Sequence, residues 1–573
     1  EPSQPALAVL QQAWSGRMDK ALKERATSTR TIGKAARMYH SCINKKSEDV
    51  SRSVQDLRAF LRDRHVHWPD DPVLHIEPLD LFLEFAIKWA LPLWLRVRLM
   101  RYQEKRPREV SMDPVARPPP FLEWRDVDIF GNEWLHYVSI LSTEPNITAP
   151  QKARLQHRMQ KTLEIQATVM NTLFKPNTGS SITSTRGTSQ VFTFGQIAKK
   201  TATFTNARLE GILNKHFEVI YPLVDTDLLL TSDVSYLDRS LDIFKAFEKA
   251  DLLDALGWWF VLSSGIHISH GNNFDNFDGF ECAIQVEDIY KLLLAVEWDT
   301  KLFSSAMLRT AQHLVYTIEK SVVHEFHRDP VITPKDSVFR AKLPSHLLET
   351  LAAKLSPVSK YTAEAKLEDI YWRFPEGGEQ SYTHQWLYAR RNASGLVIKN
   401  VYDELSRLSH FYYDHPITYD MPHNTIAMPA TAFMEPLYFT DGTDAMLYGS
   451  LGSTLAFEVL NVVTCDRGKR AEGCGYPAVF NQAAASRYVC EENSAISERP
   501  QKMALQVAYG AYANASKKSS DMKLQNLSDY STLQIFFLVW CYTRCFDNSF
   551  RSDAAVCDDA VTDMPAFHEA FGC

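Results

Sequence analysis

The sequence has no apolar stretch long enough to cross a membrane. Its most apolar long window, Leu79 to Leu99, contains five charged side chains at helical spacing. This window therefore predicts an amphipathic core helix and not a bilayer span. The apolar run from Leu533 to Trp540 is far too short to span a bilayer and predicts a buried helix.

The chain also lacks an excess of positive charge. Its 62 Lys and Arg residues are outnumbered by 69 Asp and Glu residues, which gives a formal net charge of −7. Because nucleic-acid binding needs a basic face that neutralises phosphates, this composition argues against that class of function. No Gly-x-Ser-x-Gly nucleophile elbow occurs, and Gly449–Gly452 does not have the spacing of a phosphate-binding loop.

Helical periodicity dominates what is present. In residues 1 to about 385 the spacing of apolar side chains mostly has the period of a helix. Loops are predicted at Pro118–Pro120 and at the Ser/Thr/Gly-rich run Asn177–Ser189. From about residue 386 the pattern predicts a helix, an edge-type strand around Asn424–Met428 and further helices. No internal repeat occurs. The predicted fold class is mainly α with a small β component.

The segment from Gly449 to Asn461 is similar to a zinc-peptidase helix whose metal ligands have been replaced. A zincin helix carries His-Glu-x-x-His, in which imidazoles at i and i+4 hold the metal and the Glu activates the bound water. Here the Glu is Glu458, but the ligand positions hold Phe457 and Asn461. A phenyl ring cannot bind zinc and an amide is a poor ligand beside imidazole. We therefore expect no zinc cofactor.

An ordered set of motifs surrounds this helix. Three elements precede the helix at an ungapped spacing: Asn-x-Ile-x-x-Pro-Ala, Pro-x-aromatic and Tyr-Gly. Further matching motifs lie towards both ends of the chain. The matching segments are Tyr39–Asn44, Cys282–Tyr290, Asn424–Ala430, Pro436–Phe439, Tyr448–Gly449, Ala508–Tyr512 and Glu569–Cys573. Together they resemble the neprilysin/endothelin-converting-enzyme family of zinc metallopeptidases. The resemblance implies a two-domain shell around a central chamber, with a helical cap domain at 1–385 and a thermolysin-like domain at 386–573.

The resemblance also locates the other catalytic positions of the family, and each is substituted. The third zinc ligand, a Glu, is replaced by Ser497, and an Asp that orients a ligand His is replaced by Gln501. The Asp that holds the other His is replaced by Thr464. The His and Arg that stabilise the transition state are replaced by Ser549 and Ala555. Loss of one such donor alone typically costs about 10²–10³ in rate, so we expect no catalytic residue in this set.

Three residues are candidates for ligand binding: Tyr419, Asn424 and Glu458. Tyr419 is kept from the family's substrate-binding strand, whereas the Asn that grips the substrate backbone there is Pro416 in this chain. Glu458 allows two interpretations. It is either a ligand-binding carboxylate at the floor of the chamber or a relic of the peptidase, and we prefer the relic.

Cysteines and glycosylation sequons indicate the compartment. The nine cysteines show no close-spaced zinc-binding pattern and are compatible with disulfides in a secreted protein. By resemblance, Cys42 pairs with Cys282, and Cys541 matches a position whose family partner lies in an N-terminal Cys-rich segment. Pairing is left open for Cys490, Cys541, Cys545, Cys557 and Cys573. The candidate glycosylation sites are Asn146, Asn392, Asn514 and Asn526.

These observations predict a secreted, catalytically inactive relative of neprilysin, or the ectodomain of such a protein, that binds a peptide or protein ligand. No nucleic-acid partner and no membrane span are expected, and a homodimer is possible. Two alternatives are kept. One is an active metallopeptidase with a rebuilt metal site that uses His410, His415 or His423, and the other is a structural subunit of a disulfide-linked oligomer.

Overall fold

The computed structural model describes most of the chain. These residues are 6–28, 30–43, 47–101, 107–115, 118–123, 127–142, 148–174, 190–200, 206–218, 221–231, 233–264, 278–302, 304–326, 340–342, 367–368, 370–377, 380–398, 417–420, 425–428, 430–463, 500–517, 523–524, 527–544, 557–562 and 564–572.

Most of this structure is α-helical. The helices are α1 (Ala6–Arg25), α2 (Ile32–Ile43), α3 (Ser47–Asp63), α4 (Pro78–Lys88), α5 (Val127–Leu141), α6 (Ala149–Val169), α7 (Phe194–Lys200), α8 (Asn206–Phe217), α9 (Val234–Ala246), α10 (Lys249–Ser264), α11 (Asp278–Leu302), α12 (Ser305–Phe326), α13 (Tyr382–Ile398), α14 (Asp444–Leu447), α15 (Ser453–Val463), α16 (Pro500–Ser516), α17 (Thr532–Arg544) and α18 (Pro565–Phe571). Helix α9 begins with a side-chain cap, because Asp233 accepts a hydrogen bond from Tyr236 N at 3.0 Å.

Two small sheets complete the described fold. Their strands are β1 (Leu95–Arg101), β2 (Glu109–Pro114), β3 (Gln190–Thr193), β4 (Leu228–Thr231), β5 (Arg340–Lys342), β6 (Thr418–Asp420) and β7 (Thr425–Ala427). The first sheet has the order β1-β2-β4-β3, in which only β2 and β4 run parallel. The second has the order β5-β7-β6, with β5 parallel and β6 antiparallel to β7. The predicted fold class, mainly α with a small β component, is confirmed.

The prediction of one helix over Leu79–Leu99 is wrong in its second half. Helix α4 ends at Lys88, and strand β1 begins at Leu95. Pro92 lies between them and cannot donate a helical hydrogen bond. Within β1 the side chains of alternate residues are buried, which is the period of a strand and not of a helix. No helix in the described ranges is long and apolar enough to cross a membrane.

Packing joins the two halves of the chain. Helix α12 lies against α15 and α16, although the sequence places it in the cap domain. Helix α13 runs across the predicted boundary at residue 385 and packs against α2, α3, α4 and α11 of the N-terminal half. The division into 1–385 and 386–573 stays a prediction.

Two disulfides occur among the described residues. Cys42 on α2 pairs with Cys282 on α11, with Cα atoms 5.8 Å apart, and this is the pair that the resemblance implies. Cys541 pairs with Cys557, 16 residues later in the chain. The family partner of Cys541 lies in an N-terminal Cys-rich segment, whereas the structure gives Cys541, whose pairing the sequence left open, a local partner. Spacing alone did not indicate the pair, because it depends on how the chain returns to α17.

Candidate functional site

The Glu458 helix, α15, follows a wide turn of the backbone. Thr443 caps the short helix α14 by accepting a hydrogen bond from Met446 N at 3.3 Å. The chain then forms a π-type turn over Tyr448–Gly452 before α15 begins. The Ser450 hydroxyl lies 2.6 Å from Leu437 O, which fixes the turn to the preceding loop. Wide turns of this kind are rare and occur frequently at functional sites.

Gly449 allows α17 to approach this turn closely. A β-carbon at position 449 would lie 2.5 Å from the carbonyl oxygen of Phe536, a distance that real β-carbons essentially never show. The ring of Phe536 in turn stacks on Tyr512 of α16, with centroids 5.3 Å apart. The glycine is therefore required here by helix packing, independently of any metal.

We expect Gly449→Ala to lower the free energy of unfolding by about 1–3 kcal/mol, because the added methyl group meets backbone that has no room to move. Chemical denaturation monitored by circular dichroism measures the change. Gly395→Ala on α13 is the matched control, since a β-carbon there meets nothing within 4 Å. Equal destabilisation by both variants would contradict this account.

Glu458 is a buried carboxylate on an apolar helix. Its side chain is 2% exposed, and its neighbours Leu455, Ala456 and Val459 are fully buried. Arg544, at the end of α17, is also buried, with 9% of its surface exposed. Burial lowers the pKa of Arg544 to about 10, and the negative charge of Glu458 acts on that pKa in the opposite direction. A buried charge is costly unless an opposite charge compensates it, and the charges of Glu458 and Arg544 act on each other in this interior.

The guanidinium of Arg544 also contacts the start of α15. Its Nη2 donates to Ser453 Oγ at 3.2 Å. Ser453 Oγ lies 2.7 Å from Gly449 O, so the contact continues into the wide turn. The Cζ atom lies 6.0 Å from the centroid of the half-buried Phe457 ring. Arg544 therefore lies beside the position where a zincin helix carries its first metal ligand.

The residues at this place do not fit a zinc ion. Protein zinc sites are built from thiolate, imidazole and carboxylate groups, and Phe457 offers no donor atom. Asn461, one helical turn later on α15, offers at best an amide. Arg544 adds a permanent positive charge that cannot be removed by deprotonation near neutral pH.

The structure describes only some of the other positions that are catalytic in the family. Gln501 lies in the first turn of α16, and its Oε1 is buried without a hydrogen-bond partner among the described residues. Thr464, Ser497, Ser549 and Ala555 lie outside the described residues. The substitutions at these four positions stay predictions from the sequence.

The second sheet lies beside α15. Tyr419 is in β6, paired in register with Ile426 of β7, and β6 contacts α15. Strand β7 is the central strand, flanked by β5 and β6, so the prediction of an edge-type strand around Asn424–Met428 is wrong. The sequence did not indicate the pairing with β5, which begins 85 residues earlier. Within the described sheet β6 is an outer strand, whereas Asn424 itself lies outside the described residues.

The structure tests other candidate residues only in part. His410, His415 and His423, which a rebuilt metal site would use, lie outside the described residues. In the parts of the chain that are described, no group of three or more His, Cys, Asp or Glu side chains could hold a metal ion. Of the four sequons, Asn514 is exposed on α16 and Asn392 is half-buried on α13. The other two, Asn146 and Asn526, are not described.

Sequence reasoning did not find Arg544. A basic residue at the end of an apolar helix usually interacts with the helix dipole or extends towards solvent. Arg544 is 86 positions from Glu458, and no local spacing links them. The available signal was indirect: Glu458 is the single charged residue in the sequence of α15, and a buried charge requires a partner.

Solved structures share this architecture over almost the whole chain. The Mycobacterium tuberculosis zinc metalloprotease Zmp1 in complex with an inhibitor matches with a TM-score of 0.61 at 11% identity, covering 99% of this chain and 91% of that one. PepO from Lactobacillus rhamnosis HN001 matches with a TM-score of 0.59 at 10% identity, covering 99% and 92%. The chain has the two-domain neprilysin-like fold.

A third solved structure with this fold is described as a complex. The Haemonchus galactose containing glycoprotein complex matches with a TM-score of 0.62 at 12% identity, covering 100% of this chain and 91% of that one. No protein-family model and no curated protein sequence matches the chain. At such low identities the structural matches establish the neprilysin-like fold, and the chemistry must be argued from the residues of this chain.

Proposed function

We propose that this chain is an extracellular pseudopeptidase that binds a peptide or protein ligand and does not cleave it with zinc. The single observation that carries the proposal is the buried guanidinium of Arg544 beside Phe457, which occupies the place of the first zinc ligand. Where the fold of a metallopeptidase needs a dication held by neutral and negative ligands, this chain has a guanidinium next to a phenyl ring. The protein itself therefore supplies a cation, the Arg544 guanidinium, whose charge acts on the Glu458 carboxylate.

The electrostatics favour a relic role for Glu458. A general base must reach the water or substrate that it deprotonates, but the side chain of Glu458 is buried at 2% exposure. Its charge acts on Arg544, which is itself fixed to Ser453. We propose that Glu458 stabilises the junction of α15 and α17 and takes no part in catalysis.

The neighbouring sheet supports a binding function. An outer strand offers backbone N–H and C=O groups to an extended peptide, which can add as a further strand. Strand β6 is such a strand within the described sheet, and it lies against α15. We propose that a peptide segment of the ligand pairs with β6 near Tyr419. Extracellular location is supported by the two disulfides, which persist in oxidising compartments.

Zinc content and peptide cleavage test the proposal together. We expect the purified native chain to contain far less than one equivalent of zinc by elemental analysis and to show no phosphoramidon-sensitive cleavage of a peptide library. The inhibitor-binding metalloprotease Zmp1, purified in parallel, is the positive control. Stoichiometric zinc together with phosphoramidon-sensitive cleavage would overturn the proposal and favour a rebuilt metal site.

A second candidate function, as a subunit of an assembly, is favoured by one observation. A structure with the same fold and a TM-score of 0.62 is described as a glycoprotein complex. Five cysteines lie outside the described residues and are candidates for links between chains: Cys465, Cys474, Cys490, Cys545 and Cys573. Mass measured by light scattering before and after mild reduction tests this candidate, and a monomeric mass in both conditions would contradict it.

A further inference from the structure

Helix α13 has one buried face and one exposed face. The buried face is formed by Trp386, Leu387, Ala389 and Arg390, which are exposed by 0–7%. On the other face Tyr388 is 58% exposed, and its ring stacks on His384 with centroids 4.4 Å apart. Further along the helix, a β-carbon on Gly395 would meet nothing within 4 Å, so the space beside it is open.

A second exposed aromatic residue lies next to this face. Trp372 is 65% exposed. The neighbouring residue, Arg373, is fixed to α13 because its carbonyl oxygen accepts a hydrogen bond from Asn392 Nδ2 at 3.1 Å. Tyr388 precedes Asn392 by four residues, which places the two side chains on the same face of the helix. Asn392 therefore contacts the segment that carries one large exposed ring and shares a helix face with the other.

Asn392 is also the first residue of the sequon Asn392-Ala393-Ser394. We propose that an N-linked glycan on Asn392 covers Trp372 and Tyr388. This inference depends on the extracellular location in the proposed function. The C–H faces of N-acetylglucosamine rings offer apolar surface, and aromatic rings are the side chains that pack on such a surface with the largest contact area.

The chemistry of the attachment agrees with the geometry. Nδ2 of Asn392 forms a bond to the anomeric carbon of an oligosaccharide carried on a lipid pyrophosphate. The bond from that carbon to the pyrophosphate oxygen breaks, Nδ2 loses one proton, and the lipid pyrophosphate leaves. The amide keeps its second hydrogen and remains a hydrogen-bond donor. Ser394 is only 4% exposed, so the transfer takes place before α13 folds.

The test uses the full chain secreted from eukaryotic cells. Glycopeptide mass spectrometry measures occupancy at Asn392, and hydroxyl-radical footprinting measures the oxidation of Trp372 and Tyr388. Ser394→Ala removes the sequon at little cost to folding, because the Ser394 hydroxyl is buried without a hydrogen-bond partner among the described residues. Asn392→Gln is the second variant. Ser516→Ala, which removes the sequon of Asn514 on α16, is the matched control.

We expect Asn392 to carry a glycan, and oxidation of both rings to rise several-fold in Ser394→Ala and in Asn392→Gln but not in Ser516→Ala. An unmodified Asn392 beside a modified sequon elsewhere would overturn this inference and leave the extracellular location intact. Modification of none of the four sequons would contradict that location as well. Occupied Asn392 with unchanged oxidation in the variants would show that the glycan does not cover the rings.

Discussion

Arg544→Met is expected to lower the free energy of unfolding by about 3–5 kcal/mol, because it leaves the Glu458 carboxylate buried without its compensating cation. Glu458→Gln should also destabilise the protein, since it leaves the guanidinium buried without its negative partner. The double variant Glu458→Gln/Arg544→Met should be more stable than the sum of the two single effects predicts, as the residues are coupled. Equilibrium unfolding in denaturant measures all three.

A surface ion pair provides the control for this cycle. Arg154 forms a salt bridge with Asp71, and both side chains are about 60% exposed. Arg154→Met should change the free energy of unfolding by less than about 1 kcal/mol, because exposed pairs are weak. Strictly additive effects of Glu458→Gln and Arg544→Met would show that the two side chains do not stabilise each other, and the structural role given to Glu458 would be wrong.

We expect that histidines placed at positions 457 and 461 will not restore zinc binding while Arg544 is present. At an effective dielectric constant of about 20, a dication within about 10 Å of a guanidinium is destabilised by about 3 kcal/mol or more, which is at least about 10²-fold in affinity. We expect Phe457→His/Asn461→His to bind zinc at least that much more weakly than the same variant with Arg544→Met. Competition titration with a chromophoric zinc chelator measures the difference.

Zinc should also stabilise the triple variant, because a metal that binds the folded state alone raises the unfolding temperature. In that variant the dication replaces the charge of Arg544 beside Glu458. The wild-type chain is the control and should show no shift of unfolding temperature with added zinc. If the double-histidine variant binds zinc as tightly with Arg544 as without it, then Arg544 is not what excludes the metal.

Much of the fold could be predicted from sequence because the signals are local or ordered along the chain. Helical periodicity gave the mainly α class, and the motifs around Gly449–Asn461 pointed to the neprilysin-like architecture that the solved structures share. Predictions failed where the determining contact is distant. Leu95–Arg101 is a strand because it pairs with β2, and β7 is central because β5 pairs with its other side.

At the candidate site, too, the sequence predicts what depends on residue type and not what depends on distant contacts. Loss of the zinc ligands at Phe457 and Asn461 is visible in the sequence, since donor atoms belong to residue types. The role of Glu458 is not, because it depends on how its charge is compensated. The position of Arg544 against the start of α15 supports our proposal of a structural role for Glu458.

The sequence by itself determined the fold class, the absence of the metallopeptidase ligands at 457 and 461, and the positions of the cysteines and sequons. Only the tertiary structure decided that the buried Arg544 lies against the start of α15, that Cys541 pairs with Cys557, and that Asn392 contacts the backbone of Arg373, next to the exposed Trp372. The physical reason is that composition and spacing fix what each side chain can do. Which charge or ring it meets depends on packing between segments far apart in the chain.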